Sequence, residues 1–282
     1  MPVSFRAIRS PLKSLGRDSV SVIGLFLAGM ALVFCSSAAH SAAKKANSSQ
    51  ASVNVASSPY VEIDQAFVAL NPEGADKLIS DRLKINPNDA GLLWRKSRAL
   101  VAAGDREKDK GRQLGLYEEA RAMAEKAIGL DASMMSGYLR RAIAAGKIAL
   151  FKGVLETREL VLLTKKDAEK AIELNNGTPY EFALGHYLLG RVHLKLSETP
   201  KVVRMPLGLA WGNIDEAEKF LAKAVATFPT APGFRVDYAL ALIKRDKKAE
   251  AKEQLQTAVS SQPVDVSDRD RIQEAKNLLG TM

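Results

Sequence analysis

Five stretches of the chain share one arrangement of small and large apolar residues. In each stretch, small residues recur seven positions apart with another nonpolar residue midway, and a proline or similar stop follows five positions later. Positions i, i+4 and i+7 lie on one side of an α-helix. The pattern therefore predicts five helices whose small residues let a partner helix pack closely. The matched apolar positions are Leu83, Ile128, Ile172, Val225 and Val259.

The spacing of these five positions indicates a helical repeat. The intervals between them are 45, 44, 53 and 34 residues. The last is the period of the two-helix tetratricopeptide unit, and the others equal that period plus inserts. The unit at Thr164 departs from the pattern, because it begins with a residue other than alanine. Two units resemble the second helix of that repeat most closely, with Ala217, Leu221, Ala224 and Pro229 in one and Ala251, Leu255, Ala258 and Pro263 in the other.

Good candidates for the first helix of each unit lie between these segments, at residues 91–103, 133–150, 180–196 and 233–245. Residues 267–279 read as an amphipathic closing helix, which a repeat array needs to cover its last open face. The short apolar run at 160–163 continues directly into a helical pattern, so we interpret it as helix interior and not as a strand. The predicted fold is all-α: a tetratricopeptide-like right-handed solenoid of about four to five helix pairs with a C-terminal capping helix, at residues 61–282.

The N-terminal segment has the order of parts found in a secretory leader. Basic residues precede an apolar run of about 16 residues, and small residues follow it. A membrane-spanning helix needs roughly 20 residues, so we favour a cleaved signal peptide at 1–42 over an uncleaved anchor. A lipid anchor on Cys35 is disfavoured, because Phe34 stands where lipoprotein processing requires a small residue. The leader predicts a periplasmic or secreted protein.

Composition excludes several kinds of chemistry. Cys35 is the only cysteine and lies inside the predicted leader, so the mature chain has no disulfide and no thiolate site.

Residues 43–60 are rich in Ser and Ala and poor in large apolar side chains, which predicts a flexible linker. The formal net charge is +9, but acidic and basic residues are mixed along the chain. We therefore predict no nucleic-acid partner.

Residues 92–279 resemble the tetratricopeptide-like domain of the regulator of microtubule dynamics family and its bacterial relatives. The specific elements are the insert before IDEAEKFLAKAV and the EAK-containing end at 268–279. The same region is similar to the helical periplasmic component of TRAP-type transporters. A secretory leader suits bacterial relatives better than the eukaryotic members, so microtubule binding is not carried over.

First helices line the concave surface of tetratricopeptide arrays, so their arginine and aromatic residues are candidates for partner binding. A solvent-exposed face of salt bridges would explain the same residues. The candidates are Trp94, Arg98, Arg140 and Arg191.

Two further candidates are His186 and, in the insert 197–213, Trp211. His186 and His193 lie seven positions apart on one helix face, but no third ligand accompanies them, so packing or groove lining is favoured over metal binding. The insert is rich in apolar residues and Pro and Gly, which suits either a cover over one end of the solenoid or a lip and interaction patch. A second insert, at 151–163, extends the apolar surface.

These patterns favour a non-enzymatic binding scaffold that holds a protein or peptide partner on its concave face. The alternative is a carrier or transporter-accessory protein that encloses an apolar small molecule or lipid in a helical channel. No motif for a nucleophile, a phosphate loop or a metal appears, so we predict no catalytic residue and no cofactor. Membrane contact is expected only through an uncleaved leader or through a partner.

Overall fold

A computed structural model describes residues 58–153 and 155–282. The predicted leader and nearly all of the predicted linker lie outside the described residues. The described residues form one compact unit.

Twelve α-helices and one 3-10 turn make up the described part of the chain, which contains no β-strand, so the all-α prediction is confirmed. None of the helices in this part is both long and apolar enough to cross a membrane. In chain order they are α1 (Val61–Val68), α2 (Pro72–Ile85), α3 (Ala90–Arg106), α4 (Lys110–Leu130), α5 (Met135–Lys152), α6 (Arg158–Leu174), α7 (Pro179–Ser197), α8 (Lys201–Arg204), the 3-10 turn (Met205–Leu207), α9 (Ile214–Thr227), α10 (Pro232–Lys244), α11 (Lys248–Ser260) and α12 (Asp268–Gly280).

The helices stack as five pairs followed by a cap. The pairs are α1 with α2, α3 with α4, α5 with α6, α7 with α9, and α10 with α11, and α12 packs on the last pair. We call α1, α3, α5, α7 and α10 the first helices and α2, α4, α6, α9 and α11 the second helices. From α3 to α10, successive first helices also contact one another and form a single layer. The predicted pairing and capping helix are therefore confirmed.

The repeated small residues lie between the helices, where the sequence pattern places them. Ala217 and Ala224 of α9, and Ala251 and Ala258 of α11, are fully buried. Gly190 of α7 shows how close the helices come, because a Cβ atom at that position would stand 2.6 Å from the side chain of Leu221. Tiny side chains are thus what allows the pairs to close.

Polar caps and prolines set the helix boundaries. The Asp89 carboxylate accepts a hydrogen bond from the Leu92 amide at the start of α3, and Thr178 forms a capping box with Glu181 at the start of α7. Such caps satisfy amide groups that have no partner inside the helix. The second helices α2, α9 and α11 end two or three residues before Pro87, Pro229 and Pro263, as predicted.

The insert 197–213 folds back against the helices beside it. Leu209 is fully buried in a cluster with residues of α5, α6 and α7, whereas Val202 and Met205 remain exposed. The guanidinium of Arg204 donates hydrogen bonds to the carbonyl groups of Thr199, Leu209 and Gly212, which fixes the turn. The insert therefore covers part of the core and also presents an apolar edge.

Candidate functional site

A cavity of about 410 Å³, partly open to solvent, lies along the layer of first helices. Its walls come mainly from α3, α5, α7 and the start of α10, with contributions from α1, α2, α4, α6 and α12. Residues 264–268, which connect α11 to α12, close one side of it. Helices supply most of the wall, so helix packing sets most of the shape of this cavity.

Aromatic rings form one wall of the cavity. The Phe234 ring stacks on Tyr180, with centroids 5.9 Å apart, and on Tyr187, with centroids 4.6 Å apart. Burial raises the pKa of both tyrosine hydroxyl groups, so they stay protonated at any physiological pH. This wall offers apolar surface with hydrogen-bonding groups at its edge.

Beside the aromatic wall, a buried carboxylate joins two arginines. Asp237 accepts a hydrogen bond of 2.6 Å from the Tyr187 hydroxyl and forms an ion pair with Arg271. The Arg191 guanidinium lies 3.6 Å from the same carboxylate and donates to the Tyr187 hydroxyl at 2.9 Å. Burial by itself would raise the pKa of Asp237. The positive charges of Arg191 and Arg271 outweigh this effect and hold the pKa below its ordinary value. The carboxylate is therefore charged and fully partnered.

A second polar cluster lies where α3, α4 and α5 meet. Asp105 accepts hydrogen bonds from the Tyr117 hydroxyl at 2.7 Å and from Lys147 at 2.5 Å. Both partners of Asp105 line the cavity, and so does Asp105 itself. The lysine charge is thus neutralised within the wall.

The C-terminal connection reaches across the cavity to an early helix. Asp265 pairs with Arg98 of α3 at 3.5 Å, a long contact between residues 167 positions apart. Burial opposes the charged form of Asp265, but Arg98 and the hydrogen bonds from Ser267 hold its pKa below the ordinary value. The Asp268 carboxylate accepts hydrogen bonds from the Val264 and Asp265 amides and fixes this connection in place.

Arg140 differs from the other charged groups of the cavity. It lines the cavity and is only 6% exposed, yet it forms no hydrogen bond and no ion pair with any described residue. Burial, with a further contribution from the nearby charge of Arg98, lowers the pKa of Arg140 to about 10. The guanidinium therefore keeps its charge at neutral pH. One face lies toward the Trp94 ring, at 5.7 Å from its centroid.

Three of the predicted site residues meet at the cavity: Arg98, Arg140 and Arg191 all line it. Trp94 is not among the residues that line the cavity, but its ring lies 4.1 Å from the guanidinium of Arg95 and 5.7 Å from that of Arg140. The tryptophan therefore supports an arginine of the cavity but is not part of its wall.

His186 and Trp211 lie away from the cavity, against the second-helix layer and the insert. The His186 ring packs between Phe182 and Phe220, and neither ring nitrogen has a hydrogen-bond partner in the described residues. Trp211 packs edge-on against His193 at 5.1 Å. The His193 Nδ1 accepts a hydrogen bond from the Asn213 amide.

The two histidines therefore sit in packing positions. In residues 58–153 and 155–282, no group of three or more His, Cys, Asp and Glu side chains is arranged to hold a metal ion.

Sequence reasoning missed several residues of the cavity wall. Tyr187 lies seven positions after Tyr180 and Lys147 seven after Arg140, so the helical period of the first helices could have found both. No helical period points to Asp265 or Arg271. Asp265 meets Arg98 of α3, and Arg271 meets Asp237 of α10, only because the C-terminal segment folds back onto the earlier helices.

The sequence matches a known protein family over most of its length. The family described as regulator of microtubule dynamics protein 1-3 matches residues 60–282, about four fifths of the chain. The chain belongs to this family. The similarity to the TRAP-type transporter component stays a prediction. A search among curated proteins found no match to the chain.

One solved structure supports the fold. The crystal structure of TTC0263, a thermophilic TPR protein of Thermus thermophilus, is similar with a TM-score of 0.54 and 20% identity, covering 78% of this chain and 97% of that one. The crystal structure of MamA gives a TM-score of 0.40 and 19% identity over 76% and 96% of the two chains. At this identity the first similarity shows a shared tetratricopeptide-like fold.

Proposed function

We propose that this family member is a non-enzymatic scaffold that holds a segment of a partner protein in the cavity between its first helices. The cavity itself is the observation that carries this proposal. Its helical walls combine stacked aromatic rings with charged groups, a combination that suits recognition of a peptide with mixed side chains. Pre-formed walls reduce the ordering cost of binding.

The positions of the histidines support a non-catalytic role. His186 and His193 both pack against Phe220, outside the cavity, so neither reaches its interior as a general base. The half-buried Asp105 and the buried Asp237 are both held in ion pairs, so neither is a free carboxylate facing the cavity.

A peptide-display selection against the immobilised protein would test the scaffold proposal. We expect a consensus motif whose synthetic peptide shifts the amide resonances of α3, α5 and α7 in an NMR titration. The matched control is Val202, an exposed apolar residue of the insert outside the cavity, whose change to Ser should leave peptide affinity unaltered. Failure to enrich any motif, or shifts confined to the second helices, would contradict the proposal.

The carrier function is the second candidate, and the aliphatic and aromatic lining of the cavity favours it. Leu184, Leu188 and Phe234 present enough apolar surface for a small molecule in a space of about 410 Å³. Native mass spectrometry of protein purified without detergent separates the candidates. A discrete added mass that is lost on organic extraction supports the carrier, and unmodified protein mass supports the scaffold.

Export is also part of the proposal, because residues 1–42 have the composition of a secretory leader. N-terminal sequencing of protein recovered from the periplasm or medium should begin between residues 40 and 44. Recovery of the uncut chain in the membrane fraction would instead indicate an anchor.

A further inference from the structure

Arg140 carries a positive charge that the described part of the protein does not neutralise. Its Nε atom is buried and has no hydrogen-bond partner in residues 58–153 and 155–282. Burying a charge without a partner is costly, so proteins rarely retain one for packing alone. The cavity beside the guanidinium is the space from which a partner could reach it.

The nearest carboxylates are already committed to other donors. Glu181 accepts hydrogen bonds from the Ser136 hydroxyl at 2.5 Å and from the Thr178 amide at 3.0 Å, as part of the cap of α7. Asp265 pairs with Arg98 and accepts from Ser267. Both acids influence the pKa of Arg140 from a distance, but neither comes within ion-pair range.

The ion pairs around the cavity show which of its charged groups lacks one. Asp237 serves both Arg191 and Arg271, Asp105 serves Lys147, and Asp265 lies beside Arg98. Arg140 remains as one guanidinium without a counter-charge in the described residues. A single buried guanidinium suits a monoanion, and a carboxylate can accept two parallel hydrogen bonds from it.

The surroundings of Arg140 indicate what the carboxylate would be attached to. Tyr180, Leu184 and Phe234 line the same cavity and offer apolar surface to a neighbouring group. The Trp94 ring centroid lies 5.7 Å from the guanidinium carbon of Arg140, within the range of a cation–π contact.

We propose that Arg140 is the binding residue for one carboxylate of the partner peptide, which places an apolar side chain next to that carboxylate against the Tyr180 and Phe234 rings. This inference rests on the proposed scaffold function and names the residue that forms its main polar contact with the peptide. Arg98 is a second hydrogen-bond donor near Arg140 and is already paired with Asp265. The carboxylate is that of the peptide C-terminus, because residues 264–268 close one side of the cavity and leave room for a chain end.

The test compares carboxylate probes with their amides. The peptide probe is acetyl-Leu-Phe-Leu with a free C-terminus, set against the same peptide with a C-terminal amide, and the small-molecule probe is 3-phenylpropionate set against 3-phenylpropionamide. Affinity is measured by calorimetry, and the Arg140 Nε–H resonance is followed in ¹⁵N-arginine-labelled protein. We expect the free acid to bind about 10- to 100-fold tighter than the amide and to shift that resonance.

Two adjacent substitutions give a matched control. Arg140→Met should reduce the acid-to-amide ratio to about one, whereas Arg141→Met should preserve it, because Arg141 is occupied by Asp167 outside the cavity. Arg140→Lys should restore part of the ratio, since lysine keeps the charge but lacks the planar pair of donors. Asp265→Asn, which removes a competing carboxylate, should raise affinity for the acid.

Each outcome decides between the site and the scaffold. Equal affinity of acid and amide, or an unmoved Arg140 resonance, overturns the carboxylate site. Display-selected peptides that bind in the cavity independently of Arg140 also overturn the site but leave the scaffold intact. Binding of 3-phenylpropionate at Arg140 without any peptide binding supports the site chemistry and overturns the scaffold. Tighter binding of inorganic phosphate at pH 8 than of either acid overturns the assignment of a monoanion.

Discussion

The two layers of the solenoid bury different kinds of side chain. The second helices bury mainly alanine and leucine, as at Ala217, Leu221 and Ala224, which fill the space between the pairs. The first helices also bury charged and aromatic groups, such as Arg140 and Tyr187. Polar burial lowers stability unless partners compensate for it. The difference therefore supports the proposed division of roles, in which the second helices hold the fold together and the first helices bind the partner.

Arg140 and Arg141 show this difference within two adjacent residues of α5. Arg141 donates two hydrogen bonds to the buried carboxylate of Asp167, at 2.7 and 2.8 Å, and belongs to the packing of α6. Arg140 lines the cavity and has no hydrogen-bond or ion-pair partner in the described part of the chain. Two adjacent arginines therefore have different surroundings: Arg141 takes part in helix packing, and Arg140 faces the cavity.

The largest expected effect comes from removing a large side chain of the second-helix layer. Leu221→Ala should reduce the free energy of unfolding by about 3 to 4 kcal/mol, because it leaves a cavity against Gly190 where α7 and α9 meet. Urea unfolding followed by circular dichroism measures the change. Val202→Ala, at a residue 73% exposed, is the control and should change it by less than about 0.5 kcal/mol.

Removing the paired arginine is expected to have a nearly comparable cost. Arg141→Met leaves the Asp167 carboxylate buried without its guanidinium, and we expect a loss of about 3 kcal/mol. The double variant with Asp167→Leu should recover much of that loss, which a double-mutant cycle would measure. Additive losses would show that the pair does not stabilise the α5–α6 contact.

The unpaired arginine should behave in the opposite way. Arg140→Met removes a buried charge and keeps a side chain of similar length, so the free energy of unfolding should stay constant or rise by about 1 kcal/mol. The same urea experiment measures it beside Arg141→Met. A loss of about 2 kcal/mol or more would mean that Arg140 contributes to packing, and the contrast between the two layers would fail at its clearest point.

The smallest expected effect is a dependence of stability on pH. It arises where His186 and His193 of α7 pack against Phe220 of α9. Burial lowers the pKa of His186 and His193 below 6.5, so the folded protein holds both rings neutral. Their contribution to stability is therefore complete above pH 6.5 and is lost as the pH falls through the folded-state pKa.

Unfolding free energies measured between pH 7.5 and 5 should decline for the wild type. The double variant His186→Phe and His193→Gln should decline less. His186→Phe by itself should also raise stability at pH 7, because both ring nitrogens lack partners in the described residues. An unchanged slope in the double variant would place the titrating groups elsewhere.

Much of the fold could be predicted from the chain, because helical period and punctuation are local properties. The recurrence of Ala217 and Ala224, and of Ala251 and Ala258, predicts close helix packing, and the structure confirms that all four are buried. The position of the first-helix arginines in the repeat predicts that they face a binding surface, and Arg98, Arg140 and Arg191 do line the cavity. The sequence does not assign the side of α7 on which His186 lies, because that depends on how α9 packs.

Local patterns in the chain specify the paired helices, the residues at which the helices stop and the family, since each depends on residues within a few tens of positions of one another. The three-dimensional arrangement was needed to show that Arg140 is buried without a counter-charge in the described residues while Arg141 is paired, and that Asp265 returns to Arg98. Those facts depend on which side chains meet between different helices, in one case across more than one hundred residues. A helical period alone places two adjacent arginines on neighbouring faces without saying what each face contacts.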